Sequence, residues 1–309
     1  MTVPRSDSSA ALLPEFLLLG LLALLWGSSY LLIRVALESL PPLTLMAIRV
    51  GLAALVLLPV MAWQGHRLPR DLATWRQLFV QSILNATAAW TLLAWGQQFV
   101  DSGLAGVLNS TSPIFVFFIT LLVTRHEALS ALKLAGALLG VAGVVLIIGV
   151  DALAGLGREV TAQAAVLLGA FCYGCAAVNG KRFSHLPPTV TAAAIMLCAA
   201  AVLLPAALAI DRPWSLRPEP AALLAAMALS VLCTAFALLL YFRLMGTLGS
   251  MGVASQAYLR AGVSVLLGIL LLGESFRPAV GLGLALVILG VAAINLPRRR
   301  HPLPSRENA

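Results

Sequence analysis

Two polar side chains lie one helical turn apart inside an otherwise apolar stretch near the end of the chain. Gln256 and Arg260 are four residues apart, a spacing that places both on the same face of an α-helix. A guanidinium is always charged and presents a planar fork of donors that fits a carboxylate or another anion. Because a charge in apolar surroundings is costly, we interpret Arg260 and Gln256 as candidate binding groups. The alternative is a structural role in which Arg260 donates to helix carbonyls.

Polar side chains also gather on one face of the apolar stretch at residues 77–98. On a helix of 3.6 residues per turn, that face combines amide, small, apolar and indole groups. Its members are Gln81, Asn85, Ala88, Leu92 and Trp95. We predict that this face lines a cavity and that Gln81, Asn85 and Trp95 contact the bound molecule, while Trp90 faces away from it.

A run of four polar residues precedes a proline in the next apolar stretch, at residues 103–124. Asn109 and Ser112 are the ends of that run, and Pro113 follows. A proline frees a backbone carbonyl and can kink a helix. We predict a binding wall or a gate hinge that includes Asn109 and Ser112. The alternative is hydrogen bonding between helices that only holds the bundle together.

Three aromatic side chains could surround an apolar or aromatic solute. Trp26 and Tyr30 lie one turn apart in the first apolar stretch, and Tyr173 occupies the position equivalent to Trp26 in the second half of the chain. Rings with few polar neighbours suit a solute of the same character. The alternative is that these rings pack between helices or at an apolar interface.

Membrane-spanning helices must position these residues, because the chain is too apolar for a soluble domain. Hydrophobic residues make up 61% of it and charged residues 10%, with a mean hydropathy of +0.98, whereas soluble domains carry about 25% charged residues. A span needs about 20 apolar residues and forms a helix that satisfies its own backbone. We therefore predict an all-α membrane protein of ten spans. They lie near residues 16–37, 43–63, 77–98, 103–124, 131–150, 162–181, 188–210, 221–243, 250–272 and 278–296.

The basic residues are distributed unevenly around these spans. Thirteen of the 20 Lys and Arg residues lie on one side, including the tail at residues 298–300, so both termini are predicted to be cytoplasmic. We expect a multi-pass protein of the bacterial inner membrane. Despite the net charge of +8, we expect no nucleic-acid partner, because the arginines at residues 298–300 are more simply a stop-transfer anchor or a contact with anionic lipid. Arg34 is expected to snorkel, and Arg49 to serve packing or interface anchoring.

The two halves of the chain repeat one another. The Leu-Pro-Pro turn at residues 40–42 recurs at 186–188, and Glu127 recurs as Glu274. We assign residues 1–150 to a first five-helix repeat and residues 151–309 to a second repeat with a basic cytoplasmic tail. A duplicated unit with an odd number of spans inserts its second copy upside down, an architecture that permits alternating access around one central site.

Spans five and ten carry glycines and almost no polar side chains. These glycines are Gly136, Gly140, Gly143, Gly281, Gly283 and Gly290. Small residues let helix backbones approach closely. We expect the two spans to pack against each other or at a dimer contact. The expected state is a monomer, with a dimer as the alternative.

The sequence lacks the residues that several kinds of enzyme, metal site and proton-coupled transporter require. The sequence contains no G-x-S-x-G and no H-E-x-x-H motif, and all four histidines lie in loops or the tail, so we predict no enzyme, metal site or cofactor. No Asp or Glu lies near the middle of a predicted span, which argues against proton coupling through a carboxylate. The duplicated halves favour a carrier over a channel.

Residues along the whole chain resemble the EamA-type members of the drug/metabolite transporter superfamily. They are Trp26-Gly27-Ser28-Ser29, the turn at residues 40–42 followed by Arg49, and Gly273-Glu274 before the glycine-bearing last span. The resemblance implies ten helices in two inverted repeats, with a cavity lined chiefly by spans one, three, four, six, eight and nine. Length and layout are similar to the YddG-like exporters of aromatic and other amino acids. The small relatives that expel cations use a glutamate in their first helix, where this chain has Trp26 and Tyr30.

We therefore expect a facilitative secondary transporter that exports small metabolites, most simply aromatic or other apolar amino acids. Arg260 or the amides of Asn85, Asn109 and Gln256 would hold the polar end of the solute, and the Trp and Tyr rings its side chain. The alternatives are an anion or nucleotide-sugar-like exchanger centred on Arg260, and a proton-coupled multidrug exporter. The expected partners are the small-molecule substrate and the lipid bilayer.

Overall fold

A computed structural model describes residues 8–124, 131–148, 158–248, 256–275 and 278–295, and all regular structure within these ranges is helical. The helices are α1 (Ser8–Ala36), α2 (Pro42–Trp63), α3 (Leu72–Ser82), α4 (Ala88–Gly96), α5 (Ser102–Asn109), α6 (Ser112–Ile119), α7 (Ala131–Ile148), α8 (Arg158–Gly180), α9 (Pro188–Ile210), α10 (Pro220–Ser230), α11 (Ala237–Thr247), α12 (Gln256–Leu272) and α13 (Pro278–Asn295).

Seven helical stretches in the described ranges are long and apolar enough to cross a membrane. Three shorter apolar helices, Leu134–Gly143, Leu259–Leu272 and Pro278–Gly290, accompany them. Each of these stretches overlaps one of the predicted spans, so the all-helical membrane class is confirmed. The count of ten spans and the position of the termini stay predictions.

Several spans are not regular α-helices. A π-helical segment at Ile83–Thr87 joins α3 to α4, another at Val231–Phe236 joins α10 to α11, and a third at Thr120–Thr124 follows α6. A π-helical segment widens the turn and changes the direction in which the following side chains point. Helices α5 and α6 are separated at Ser110 and Thr111, immediately before Pro113, where a proline is expected to interrupt a helix.

Helices α2 and α9 pack side by side in opposite directions. Asp211, just after α9, accepts hydrogen bonds from the backbone N and the Oγ1 of Thr44 near the start of α2, both at 2.8 Å. At the other end, Thr189 near the start of α9 donates to Oε1 of Gln64 just after α2, also at 2.8 Å. Each helix therefore ends on a residue that satisfies polar groups at the start of its partner.

Close helix contacts also occur at corresponding places in the two halves. Helix α1 packs against α12, and α8 packs against α6. A Cβ on Gly27 would lie 2.6 Å from Cβ of Val263, and one on Gly174 would lie 3.3 Å from the backbone N of Val116. Because Gly27 and Gly174 occupy equivalent positions of the repeat, as do Val116 and Val263, the same close approach occurs twice.

Helices α7 and α13 pack against each other along their glycines, as the sequence predicted for spans five and ten. A Cβ on Gly143 would lie 2.7 Å from the carbonyl oxygen of Gly283 and 3.0 Å from Cβ of Leu286. Gly290 approaches the backbone of Gly136 and Gly140 in the same way. The two helices therefore form a scaffold at backbone contact distance.

This contact predicts a sharp difference between two alanine substitutions. Gly143→Ala is expected to lower the free energy of unfolding by about 1–3 kcal/mol, because its new methyl group meets backbone that cannot move aside easily. The matched control is Gly51→Ala, since a Cβ there meets nothing within 4 Å. Thermal unfolding of both variants in detergent, followed by circular dichroism, tests this. Equal midpoints for Gly143→Ala and Gly51→Ala would contradict the packing argument.

The start of α3 lies outside the spans and is capped by its own sequence. Asp71 accepts a hydrogen bond from the backbone N of Thr74 at 2.7 Å. Hydrogen bonds from Thr74 lower the pKa of the Asp71 carboxyl below its usual value. This cap fixes where the third span begins.

Candidate functional site

A buried cation lies where α2, α4, α8 and the π-helical segment after α10 meet. Arg49 of α2 is 5% exposed, and its Nε donates to Oγ1 of Thr234 at 2.9 Å. Its guanidinium carbon lies 3.7 Å from the ring centroid of Trp90, which is a cation–π contact. Nε1 of Trp90 in turn donates to the hydroxyl of Tyr173. One arginine thus connects three other spans through a threonine and two aromatic rings.

A second polar group lies where α1, α5 and α12 meet. Nδ2 of Asn109 donates to the hydroxyl of Tyr30 at 2.8 Å, and both side chains are 2% exposed. The Oγ of Ser112 donates to the carbonyl oxygen of Asn109 at 3.0 Å. A Cβ on Gly106 would lie 2.6 Å from Cβ of Ser264 and 3.4 Å from the ring of Tyr30. The absence of a side chain at Gly106 lets the three helices meet here.

Helix α12 carries the predicted pair Gln256 and Arg260. Gln256 is 7% exposed and Arg260 is half-buried. Oε1 of Gln256, Nε of Arg260 and Oδ1 of Asn109 are buried and have no hydrogen-bond partner among the described residues. Buried polar atoms normally have partners, and unpartnered ones require an explanation such as a ligand or water.

Tyr173 and α1 relate these groups to one another. The hydroxyl of Tyr173 accepts from Nε1 of Trp90, whose ring lies against Arg49. The two arginines come from α2 and α12, and α1 packs against both α12 and the π-helical segment that carries Thr234. Within the described ranges, neither arginine forms an ion pair with a carboxylate. The region is thus electropositive, with two tyrosines and an asparagine beside the cations. We call it the central chamber, defined by Tyr30, Arg49, Asn109, Tyr173 and Arg260.

Other predicted site residues lie elsewhere. Trp26 is half-buried and packs on Tyr241, with ring centroids 5.4 Å apart, in a smaller apolar cluster between α1 and α11. Trp95 is 40% exposed and lies edge-on to Phe99. The structure brings neither tryptophan to the central chamber.

The two predicted amides of the third span, Gln81 and Asn85, are not among the residues that define the central chamber. Gln81 is buried, donates to the carbonyl oxygen of Ala176 at 3.0 Å and accepts from Asn179 at 2.8 Å, so it joins α3 to α8. Asn85 is half-buried within the π-helical segment. That segment interrupts the 3.6-residue period on which the single face from Gln81 to Trp95 was predicted.

The structure gives partners to three basic and aromatic residues. Arg49 was expected to serve packing or interface anchoring, and it is buried against Trp90. Trp90 was expected to face away from the polar face of its span, and it connects Arg49 with Tyr173. Arg34 was expected to snorkel, and its Nη1 donates to the carbonyl oxygen of Gln97 just after α4, at 2.8 Å. The signal for Arg49 was available: an arginine inside a span is a functional candidate wherever it occurs.

No group of three or more His, Cys, Asp or Glu side chains that could hold a metal ion occurs in the described part of the chain. The donor set of the chamber consists of guanidinium, hydroxyl, amide and indole groups. Such groups suit carboxylates, ammonium groups and aromatic rings.

The long apolar helices and the buried polar groups between them define a multi-pass membrane protein. A model of the EamA-like transporter family matches residues 13–149 and again residues 161–296. The chain belongs to the EamA-like transporter family, within the drug/metabolite transporter superfamily.

Named relatives agree with this family. The uncharacterized inner membrane transporter YedA of Escherichia coli K12 is 29% identical over 294 residues, which cover 94% of each chain. The uncharacterized transporter YvbV of Bacillus subtilis is 26% identical over 282 residues, covering 90% of each chain. One solved structure superposes with a TM-score of 0.64 at 22% identity, covering 93% of this chain and 98% of the other, and supports the fold.

Proposed function

We propose that this transporter is a facilitative carrier of apolar or aromatic amino acids, which it exports across the inner membrane by alternating access. The amino acid would bind in the central chamber with its carboxylate towards the arginines and its side chain against the rings of Tyr30, Trp90 and Tyr173. The proposed inner-membrane location rests on the apolar helices and on the name of the relative YedA.

The observation that carries this proposal is the set of unpartnered polar atoms. An α-amino acid needs a cationic donor for its carboxylate and neutral acceptors for its ammonium group. Arg260 offers an unpartnered Nε, while Asn109 and Gln256 offer unpartnered amide oxygens. Donors and acceptors of both kinds in one polar region suit a zwitterion better than a simple anion or cation.

The proposed mechanism needs two inverted halves. It is supported by the antiparallel packing of α2 with α9, by the reciprocal contacts at their ends, and by the double match to the family model. Two halves related by an axis in the membrane plane can exchange conformations and so open one site to either side in turn. The distribution of basic residues places both termini in the cytoplasm in this proposal.

The lack of proton coupling in this proposal rests on the groups that face the chamber. In the described residues, the buried polar and charged set within the spans contains arginine, amide and hydroxyl side chains but no Asp or Glu. A solute would then move down its own gradient or by exchange. We propose a monomer as the working unit, since α7 and α13 use their glycines within one chain.

A second candidate, anion exchange, is favoured by the same two arginines. Neither Arg49 nor Arg260 is ion-paired in the described ranges. An anion such as phosphate or a nucleotide sugar would be attracted to this region. The amide oxygens of Asn109 and Gln256 argue against it, because they would repel an anion.

Counterflow in proteoliposomes tests the proposal. Vesicles loaded with unlabelled tryptophan or methionine are expected to accumulate the same labelled amino acid from outside, and an imposed pH gradient is expected to leave the rate unchanged. Asn109→Leu should slow accumulation about tenfold, because it removes the acceptor for the ammonium group. The matched control is Thr111→Val, since the Thr111 hydroxyl donates to the carbonyl oxygen of Leu108, three residues earlier in the same span. Accumulation of phosphate but of no amino acid would replace this proposal with anion exchange.

A further inference from the structure

We propose that Arg49 is the residue that makes this carrier require an anionic end on its solute. This inference rests on the proposed function and deepens it, because it assigns a specificity-determining role to a residue that neither the repeat nor the predicted polar faces indicate. The solute class it defines is small carboxylates with an apolar or aromatic body; the corresponding amines would be rejected.

The first argument is the orientation of the guanidinium. One hydrogen bond, from Nε to Thr234, and one ring contact, with Trp90, fix the plane of the group. Within the described residues, Nε is the N–H group of Arg49 that has a hydrogen-bond acceptor. Neither terminal Nη group donates to a described residue, and together they form the edge of a guanidinium that can bind a carboxylate through two parallel hydrogen bonds.

The second argument is that nothing described neutralises the charge. The Trp90 ring and the Thr234 hydroxyl compensate for part of the lost hydration of Arg49, but neither carries a negative charge. No carboxylate in the described ranges forms an ion pair with it. An anionic group that enters the chamber therefore gains a favourable interaction, and an ammonium group without a carboxylate meets repulsion.

The third argument is that only one half of the repeat has an arginine at this position. The offset between the two Leu-Pro-Pro turns makes Ile195 of α9 the sequence equivalent of Arg49 of α2, and Ile195 is buried and apolar. At the offset that relates Glu127 to Glu274, in contrast, Thr234 corresponds to Thr87, which is also buried. The cation is thus present in one half of an otherwise repeated framework. A solute with one charged end would adopt a single orientation in such a chamber.

The test compares counterflow of tryptophan with that of tryptamine, which has the same ring and ammonium group but no carboxylate. Wild-type protein is expected to prefer tryptophan. Arg49→Gln is expected to lower the tryptophan-to-tryptamine rate ratio by about tenfold, whereas Arg49→Lys should keep most of it because the charge is retained. A purely structural role would change both rates together and leave the ratio unchanged.

Thr234→Val and Thr87→Val form the matched pair. Removal of the Thr234 hydroxyl frees Nε of Arg49 and should lower the ratio, while Thr87→Val should not. Size-exclusion profiles and circular dichroism establish that each variant is folded. If Arg49→Gln does not fold, the Thr234→Val ratio decides: a lowered ratio supports the proposal and an unchanged ratio overturns it.

The outcomes separate this inference from the proposed function. Tryptophan counterflow by the wild type, with the same rate ratio in folded Arg49→Gln, would overturn the role of Arg49 and leave the amino-acid carrier intact. Equal wild-type rates for tryptophan and tryptamine would also overturn it. Failure of the wild type to accumulate any amino acid would overturn the proposed function and this inference together.

Discussion

Arg260→Gln is expected to lower the rate of tryptophan counterflow by about 10- to 100-fold in protein that remains folded. Hydrogen bonds to charged groups contribute about 1.5–3 kcal/mol, and each 1.4 kcal/mol corresponds to a factor of ten. Arg260 is half-buried and its Nε has no hydrogen-bond partner among the described residues, so its replacement removes no Nε hydrogen bond to them. The loss should therefore fall on binding of the solute and leave stability nearly unchanged.

The control for this prediction is another arginine of the same charge. Arg243 is 61% exposed and pairs with Glu15 at 3.3 Å. Exposed ion pairs contribute little, about 0–1 kcal/mol, so Arg243→Gln should transport at nearly the wild-type rate. Both variants are measured in proteoliposomes with equal amounts of folded protein. Equal rates for Arg260→Gln and Arg243→Gln would exclude Arg260 from the binding site.

The arrangement of the helices could be predicted well from the sequence, because a membrane leaves few options for the backbone. The span predicted at 43–63 is observed as Pro42–Trp63, and the span predicted at 188–210 as Pro188–Ile210. Both begin at a proline, which fits the first turn of a helix because it has no N–H to satisfy. The contact between α7 and α13 followed from their glycines in the same way.

The candidate site was harder to predict, because burial depends on which helices meet. Arg260 and Gln256 were proposed as binding groups from their position within one helix, and that role stays a prediction. Arg49 reaches the chamber only because α2 lies beside the π-helical segment that carries Thr234, and a single sequence does not specify that neighbour. Trp95 was predicted to contact the solute and Trp90 to face away, but Trp90 is the ring that contacts Arg49. The π-helical segment before both residues alters the helical period on which that prediction was based.

Glu274→Ala is expected to favour a state in which the end of α12 and the start of α5 are separated. Oε1 of Glu274 accepts from the backbone N of Ser102 at 2.7 Å, and Oε2 accepts from that of Gly103 at 3.0 Å. This carboxylate follows α12 and holds the first turn of α5, where the positive end of the helix dipole favours a negative charge. It thus ties together the ends of the two helices that carry Asn109, Gln256 and Arg260.

The size of the effect follows from the two backbone N–H groups, of Ser102 and Gly103, that would lose their acceptor. A buried N–H that loses its acceptor costs about 1–3 kcal/mol, so loss of both weakens the closed arrangement of α5 and α12 by several times RT. In the alternating-access cycle proposed above, these ends would separate in one state, and Glu274→Ala should increase the population of that state more than tenfold. Glu274→Gln should have a smaller effect, because one amide oxygen remains as an acceptor.

A thiol at the partly buried position of Leu104 measures this opening. In a variant whose four free cysteines are replaced by alanine, Leu104→Cys should react with a membrane-impermeant maleimide more than ten times faster when Glu274→Ala is added. Glu219→Ala is the matched control, since Glu219 is exposed and its described hydrogen bonds use its backbone: its N donates to Ser39 and its carbonyl oxygen accepts from Leu223. Equal reaction rates in the Glu274 and Glu219 variants would mean that the Glu274 contact does not hold α5 against α12.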